Sequence, residues 1–304
     1  MKPFPFFSII IPTYNRAHLI LKTLNSIFTQ TCSDYEIIVV DNCSTDNTSE
    51  ILKPFVDEEK LVFIRHDKNY ERAVSRNTGI NHAKGNYITF LDSDDLMYPT
   101  NLEDALNYTV DNPSKKVFHN LYEITSVTGE RKYIPSFPAV SNAAWAITNG
   151  NFLSCIGVFI HADIYKTILF DTDPVLVGSE DYEFWLRVIA RCGKIGRINK
   201  VNNAIIEHSE RTVNAGVDIQ KMEKRFDYLL NKISKDGLML SVYGKYLPRM
   251  KASLKLYTAA MLNIHGSHKE ALEYLGYSFR EDATIIFTFR FWRILQIAIS
   301  RGLF

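Results

Sequence analysis

The sequence predicts an α/β fold in which a largely parallel sheet is wrapped by helices and followed by a helical C-terminal region. Three observations predict it. Short β-branched or aromatic runs alternate with stretches of helical period over roughly the first hundred residues, the pattern of right-handed β-α-β crossovers. Each of those runs ends in a polar cluster, as strands do at the ligand-binding edge of a parallel sheet. Beyond Asn214 strand signals stop and helical periodicity takes over.

Phe6–Ile11, Tyr35–Val40, Leu61–Arg65 and Tyr87–Leu91 read as strands because they are short, β-branched or aromatic, and bounded by polar residues. After the first, Ala17, Ile20, Leu24, Ile27 and Phe28 recur at helical spacing, and Ser44 or Thr45 is placed to cap a second helix. A third helix is expected from Tyr70 to Lys84, stopped by Gly85 in a left-handed cap. From Asn101 to Ile206 the pattern is mixed: a helix near Leu102–Val110, a hairpin around Thr128–Gly129 and a helix from Glu180 to Arg191, implying strands added to the same sheet. Pro135–Pro138 is the clearest loop and is long enough for a lid. Met222–Ile233, Tyr246–Ile264 and Lys269–Phe279 read as the C-terminal helices, and the boundary before them falls near residue 210.

With 304 residues, 46% of them apolar, the chain can bury a full core. Its 35 basic and 34 acidic residues give a net charge of +1, so no global field draws nucleic acid and none is expected as a partner. Cys32, Cys43, Cys155 and Cys192 form no C-x-x-C pair, which argues against a zinc ribbon or redox motif and fits a reduced, cytoplasmic setting. The apolar run Phe6–Ile11 is stopped by Pro12 and is too short for a signal-peptide core. No stretch approaches the roughly 20 apolar residues that a spanning helix needs.

The chemistry is expected where the strands end. Strand one leads into Pro12-Thr13-Tyr14-Asn15-Arg16, strand two into Asp41-Asn42, strand three into His66-Asp67-Lys68-Asn69, and strand four into Asp92-Ser93-Asp94-Asp95. One cluster alone could serve only to cap the next helix; four on one edge point to a ligand. In Asp92-Ser93-Asp94 two carboxylates reach toward the same cavity, which suits a hard cation such as Mg²⁺ or Mn²⁺ bridging protein to a diphosphate. An aspartyl phosphatase also carries D-x-D after a buried strand, but on its first strand with Thr or Val two residues on; here the motif follows the fourth strand and Leu96 holds that place.

Pro12–Arg16, Val39-Val40-Asp41-Asn42-Cys43-Ser44-Thr45-Asp46, Ser75-Arg76-Asn77-x-Gly79 and Tyr87–Asp95 together resemble the nucleotide-binding half of family 2 inverting glycosyltransferases of the GT-A fold. Ser75 stands where many members have Ala. The resemblance extends to Gly178–Arg187, which is similar to the family's Glu-Asp segment and its helix. It implies a GT-A-like sheet over residues 1–210, with 1–100 the nucleotide-sugar half and 101–210 the acceptor half, and a helical region over 211–304. It also implies that Asp41 contacts the base, that Pro12, Thr13, Tyr14, Asn15 and Arg16 shape its pocket with Asn69, Arg76 and Ser93 nearby, that Asp92 holds the ribose, and that Asp94 binds Mn²⁺ or Mg²⁺. Asp181 would be the general base beside Glu180, and His208 or Arg211 would reach the metal or diphosphate. The implied donor is a UDP-sugar and the implied acceptor a glycan or lipid-linked glycan in bacterial surface polysaccharide or glycoconjugate synthesis.

Bland readings stand beside several of these. Glu180 and Asp181 also suit a helix N-terminus capped by Ser179, although the buried side expected from Phe184, Trp185, Val188 and Ile189 would hold that terminus rigid. His208 also reads as a surface or structural histidine, and Trp145, an acceptor-platform candidate with the Pro135–Pro138 loop, also reads as core. A nucleotidyltransferase would share the metal-carboxylate logic but want a Gly-rich triphosphate loop, and Pro12–Arg16 has no glycine; a non-catalytic sugar-nucleotide binder would not need both Asp94 and Asp181. Finally, residues 282–304 are rich in Ile, Phe and Trp with Arg290, Arg293 and Arg301 along one side. If Glu281–Arg301 is one helix, it either lies peripherally on a membrane or packs on the catalytic domain or a second subunit.

Overall fold

A computed structural model describes residues 4–208 and 218–302. The chain forms two compact units, Met1–Ser141 with Leu153–Ser209, and Asn142–Phe152 with Glu210–Phe304. Residues 142–152 thus group with the C-terminal helices.

The first unit opens with β1 (Phe7–Thr13), α1 (Ile20–Phe28), β2 (Tyr35–Asp41), α2 (Thr48–Asp57), β3 (Val62–Arg65), α3 (Glu71–His82) and β4 (Tyr87–Phe90). The four strands pair in parallel, in the order β3-β2-β1-β4. Every residue of β1 and β4 is buried, as expected where helices cover both faces of a parallel sheet. On α1, Ile20, Thr23, Leu24 and Ile27 are buried at helical spacing. Two expected caps differ. The second helix starts at Thr48, later than Ser44 or Thr45, and Asp46 accepts the Thr48 N–H at 3.1 Å. Gly85 is not a left-handed cap: α3 ends at Ala83, and a Cβ on Gly85 would stand 2.6 Å from the Ser8 nitrogen, so glycine there permits close approach to β1.

Next come β5 (Leu96–Met97), α4 (Asn101–Asp111), β6 (Val117–Ser126), β7 (Arg131–Tyr133), the short α5 (Ala143–Thr148) of the second unit, β8 (Val158–His161), α6 (Ala162–Tyr165), α7 (Glu180–Cys192) and β9 (Gly196–Glu207). The hairpin of β6 and β7 turns through Gly129 at φ +85°, as expected. The full order is β3-β2-β1-β4-β8-β6-β9-β5, a mixed sheet. In a flat sheet β5 would lie four strand spacings, about 19 Å, from β4. The chain spans that gap with Leu91 to Asp95, which includes a turn closed by Asp95 N–H on Asp92 O at 3.0 Å. Such a turn holds its ends within about 7 Å, so the sheet has to curl, and the D-x-D turn sits inside the curl.

Behind it, three buried asparagines close a ring. Asn101 Nδ2 donates to Asn203 Oδ1 at 2.6 Å, Asn203 Nδ2 to Asn120 Oδ1 at 2.6 Å, and Asn120 Nδ2 to Asn101 Oδ1 at 2.9 Å. Gly157, at φ +74°, lies against this ring with no room for a Cβ.

The second unit comprises α5 with α8 (Ile219–Lys235), α9 (Gly237–Tyr243), α10 (Leu247–Ile264), α11 (His268–Glu281) and α12 (Phe289–Gly302). Its core gathers Ala252, Leu256, Ala259, Leu275, Ile285, Phe291 and Ile294. Glu281–Arg301 is not one helix. Asp282 is extended and its Oδ1 accepts the Thr284 N–H at 2.9 Å, starting a separate 3₁₀ turn over Ala283–Phe287 before α12.

Candidate active site

Because β1 and β2 run in register from Phe7↔Tyr35 to Thr13↔Asp41, the loops after them leave the sheet side by side and are stitched together. Asn15 sits at φ 52°, a left-handed conformation that asparagine tolerates better than most residues. Its N–H donates to Ser44 Oγ at 2.9 Å, its Oδ1 accepts the Thr45 N–H at 2.8 Å, and the Ala17 N–H reaches Asp46 Oδ2 at 3.0 Å. Asp41 is fully buried. Its Oδ1 accepts the Ser44 N–H at 3.0 Å and hydroxyl at 2.5 Å, while Ser49 and Arg65 approach Oδ2 only to 3.4 and 3.5 Å. The carboxylate therefore holds its own loop, with Oδ2 the less committed oxygen. Asn69 Oδ1 accepts from Asn42 Nδ2 at 2.7 Å and from the Glu71 N–H at 3.1 Å, fixing the loop after β3. Pro12 and Thr13 are buried and Tyr14 is exposed; Thr13 Oγ1 has no hydrogen-bond partner among the described residues.

At the end of β4, Ser93 is buried and Asp94 Oδ2 meets His208 Nε2 at 3.0 Å and Arg16 Nε at 3.4 Å. β9 brings His208 there: it pairs antiparallel with β5, Leu96 opposite Ala204. Asp95 secures the arrangement, since its buried carboxylate accepts the Ile206 N–H at 3.0 Å and its carbonyl accepts the Thr23 hydroxyl at 2.9 Å. Sequence reasoning missed this role; the available signal was a third acid adjoining the motif, which cannot share the direction of its neighbours on an extended chain.

Arg76 is buried and joins two clusters. Its guanidinium donates to Asp92 Oδ1 at 3.0 Å and to Glu180 Oε1 at 3.3 Å, while its Nε has no partner among the described residues. Arg72 Nε lies 3.4 Å from Glu180, and Glu180 Oε2 accepts the Gly178 N–H at 2.7 Å. Burial pushes the Glu180 carboxyl up, but Arg72, Arg76 and backbone donors outweigh it and hold the carboxyl below its usual range. Asp181 goes the other way. Burial first, then the negative charge of Glu180, raise it from 3.8 to about 6, against the opposing pull of Arg76. It nevertheless keeps an accessible edge. The two adjacent carboxyls are thus driven apart, Glu180 held ionised by its arginines and Asp181 raised by burial. The buried side of α7 is as expected, with Phe184, Trp185, Val188 and Ile189 inaccessible, but the Ser179 side chain makes no capping hydrogen bond.

A carboxylate oxygen and an imidazole nitrogen meeting at 3.0 Å make a donor pair suited to Mn²⁺, whereas Mg²⁺ favours oxygen alone. The Nε2 proton of this pair is what a cation would replace. Among the described residues no group of three or more His, Cys, Asp or Glu could hold a metal. Arg211 lies outside the described residues. Trp145 belongs to the second unit, beside Tyr246 and Arg249. The Pro135–Pro138 loop is no open lid: Phe137 packs on Tyr122 at 5.1 Å, and Arg197 donates to Pro138 O at 2.9 Å.

Arg76→Gln is expected to leave two carboxylates without their buried cation, lowering stability by about 3–5 kcal/mol and raising the Asp181 pKa above 6. Denaturant melts and a carboxyl NMR titration check this; Arg76→Lys, which keeps the charge, should recover part of both effects.

The family model described as glycosyl transferase family 2 matches residues 8–169. WcaA of Escherichia coli K12, a glycosyl transferase assigned to colanic acid biosynthesis, is 30% identical over 70% of this chain and 77% of its own length. WfgD of Escherichia coli, a UDP-Glc:α-D-GlcNAc-diphosphoundecaprenol β-1,3-glucosyltransferase, is 28% identical over 71% and 81%. The chain spans 65% of the length of one further relative and 18% to 21% of three others that are much longer. Among solved structures, residues 1–349 of Staphylococcus aureus TarS with UDP-GlcNAc match at a TM-score of 0.63 and 19% identity, over 91% of this chain and 88% of that one. The mannosyltransferase PcManGT of Pyrobaculum calidifontis, with GDP-Man and Mn²⁺, matches at 0.57 and 18% identity, over 100% and 88%. Both share the GT-A fold of the first unit, a curled mixed sheet between helices.

Proposed function

Because the chain belongs to glycosyl transferase family 2, we propose that it moves a sugar, with inversion, from a UDP-sugar to a hydroxyl of a glycan or lipid-linked glycan. The observation that carries the reading is that Arg76 ties Asp92 of the D-x-D turn to Glu180, the chain neighbour of Asp181, a carboxyl that burial raises to about 6.

In this reaction the acceptor oxygen bonds to the anomeric carbon as the bond from that carbon to the diphosphate breaks. The acceptor proton passes to Asp181, and the bonding electrons leave with the nucleoside diphosphate. The Pro12–Arg16 loop, Asp41 and Asn69 hold the nucleoside, Asp92 the ribose, and Arg76 keeps Asp92 and Glu180 in place. Asp94 and His208 would hold Mn²⁺ or Mg²⁺, which when bound would supply positive charge to the departing diphosphate. Residues 1–100 form the donor half of the catalytic region, 101–210 the acceptor half, and 211–304 the helical region. The relatives named for colanic acid and for a diphosphoundecaprenol-linked acceptor support a role in surface polysaccharide synthesis at the cytoplasmic face of a membrane. Among the described residues no helix is long and apolar enough to cross one.

The test is donor consumption across a panel of nucleotide sugars, with and without acceptor. Acceptor-dependent release of UDP is expected. Pyrophosphate release from a nucleoside triphosphate would indicate nucleotidyl transfer, and binding without turnover a non-catalytic role. Calorimetry adds the base preference: UDP should bind more tightly than GDP, and equal affinities would remove the role given to Asp41.

A further inference from the structure

The 3₁₀ turn and α12 bury one side and expose another. Ile285, Phe291, Ile294 and Ala298 are buried, but Phe287 is 84% exposed, Phe289 80%, Trp292 56% and Ile299 43%. Isolated exposed apolar residues need no explanation; several large aromatics on one rim do. At 100° per residue Phe289, Trp292 and Ile299 fall within an arc of about 80°, with Arg293 about 40° beyond it. Trp292 is also tethered: its indole N–H donates to Ile286 O at 2.7 Å, so the polar atom is satisfied while the ring stays outside. From Ala283 to Gly302 the only ionised side chains are Arg290, Arg293 and Arg301, with no acid among them. Arg290 leans over the Tyr257 ring at 6.0 Å and Arg301 falls about 120° from Phe289, away from the arc, which leaves Arg293 as the cation beside the rim.

We propose that this rim docks the protein on an anionic lipid surface, with Phe287, Phe289 and Trp292 entering the interface and Arg293 at the headgroup phosphates. Aromatic rings beside a cation match the two layers of such a surface, apolar below and negatively charged above. A second copy fits less well. Four side chains, Phe287, Phe289, Trp292 and Ile299, make up the rim, few beside the roughly 20–30 residues a side of a stable dimer. The proposal rests on the lipid-linked acceptor reading in that it gives the docking a purpose.

Flotation of the full chain with phosphatidylcholine vesicles, with and without phosphatidylglycerol, tests it. The chain should float with the anionic vesicles, F287S/F289S should bind them about tenfold less well, and R293Q should lose part of the anionic preference. Melting temperatures should hold, since all three side chains are exposed. A chain that stays down with both vesicle types, or F287S/F289S floating like the parent, overturns the proposal; so does a dimer in sedimentation that F287S/F289S abolishes, which would make the rim a contact between copies. Flotation needs no turnover, so failure of the glycosyl-transfer reading would show separately, as absent acceptor-dependent UDP release by the unsubstituted chain.

Discussion

Asp181→Asn is expected to lower kcat by roughly 10² to 10⁴-fold, the usual share of a general base, while leaving donor affinity unchanged. The amide has almost the same shape and lacks only the capacity to take the proton. In the parent, kcat/KM should fall on the acid side with an apparent pKa near 6, because Asp181 must be ionised to act and burial with Glu180 raises it to about 6. The sign for stability is opposite. A carboxyl whose pKa rises on folding favours the folded state most when protonated, and that contribution is lost as pH climbs through 6. Asp181→Asn should therefore raise the melting temperature above pH 6. A simple helix-terminus role predicts a loss of roughly 0.3–1 kcal/mol instead, a smaller effect than a rise from 3.8 to about 6 represents. Pre-steady-state rates, donor calorimetry and melts on one sample separate the two; full activity in Asp181→Asn would end its assignment as the base.

Asp94→Ala should abolish turnover, by at least about 10²-fold, and remove the dependence of donor binding on Mn²⁺. Asp94 is the carboxylate on which His208 and Arg16 both converge, so its loss should remove metal binding, whereas His208→Ala leaves one proposed ligand and should weaken metal affinity by more than the roughly 10 to 100-fold typical of an outer-shell partner. Melting of Asp94→Ala should stay close to the parent, because Asp95, not Asp94, ties the turn to β9. A rate in the parent that a chelator leaves untouched would overturn the metal assignment.

The parallel half was legible because its strands are short β-branched or aromatic runs, those of β1 and β4 buried throughout, while α1 buries residues at helical spacing; β1, β2, β3 and β4 lie within two residues of where the sequence puts them. The curl was not, because it follows from β5 pairing with β9 across more than a hundred residues, and no local pattern encodes that partner. At the candidate site, residue identity singled out Asp92, Asp94, Asp181 and His208, the last of which the structure brings to Asp94 at 3.0 Å. It could not reveal that Arg76 is an internal strut or that Asp95 fastens β9, since both depend on which way a side chain turns within a polar cluster. Whether Glu281–Arg301 is one helix was not legible from its hydrophobic residues, because the preference of Asp282 for capping a new turn decides the outcome.

The closed ring of Asn101, Asn120 and Asn203 makes these three positions behave in heredity as one. Each amide gives one hydrogen bond and receives one around the cycle, so replacing any single member orphans a donor on one neighbour and an acceptor on the other, at about 1–3 kcal/mol each. A second replacement removes a group that is already orphaned, and its added cost is small. Double-mutant cycles should accordingly return a large coupling energy between members that lie far apart in the chain. Exchange of all three for apolar residues is less costly than the first step toward it. Across descendants of this sequence the three asparagines should persist together or disappear together, and a lineage holding two of them should be rare.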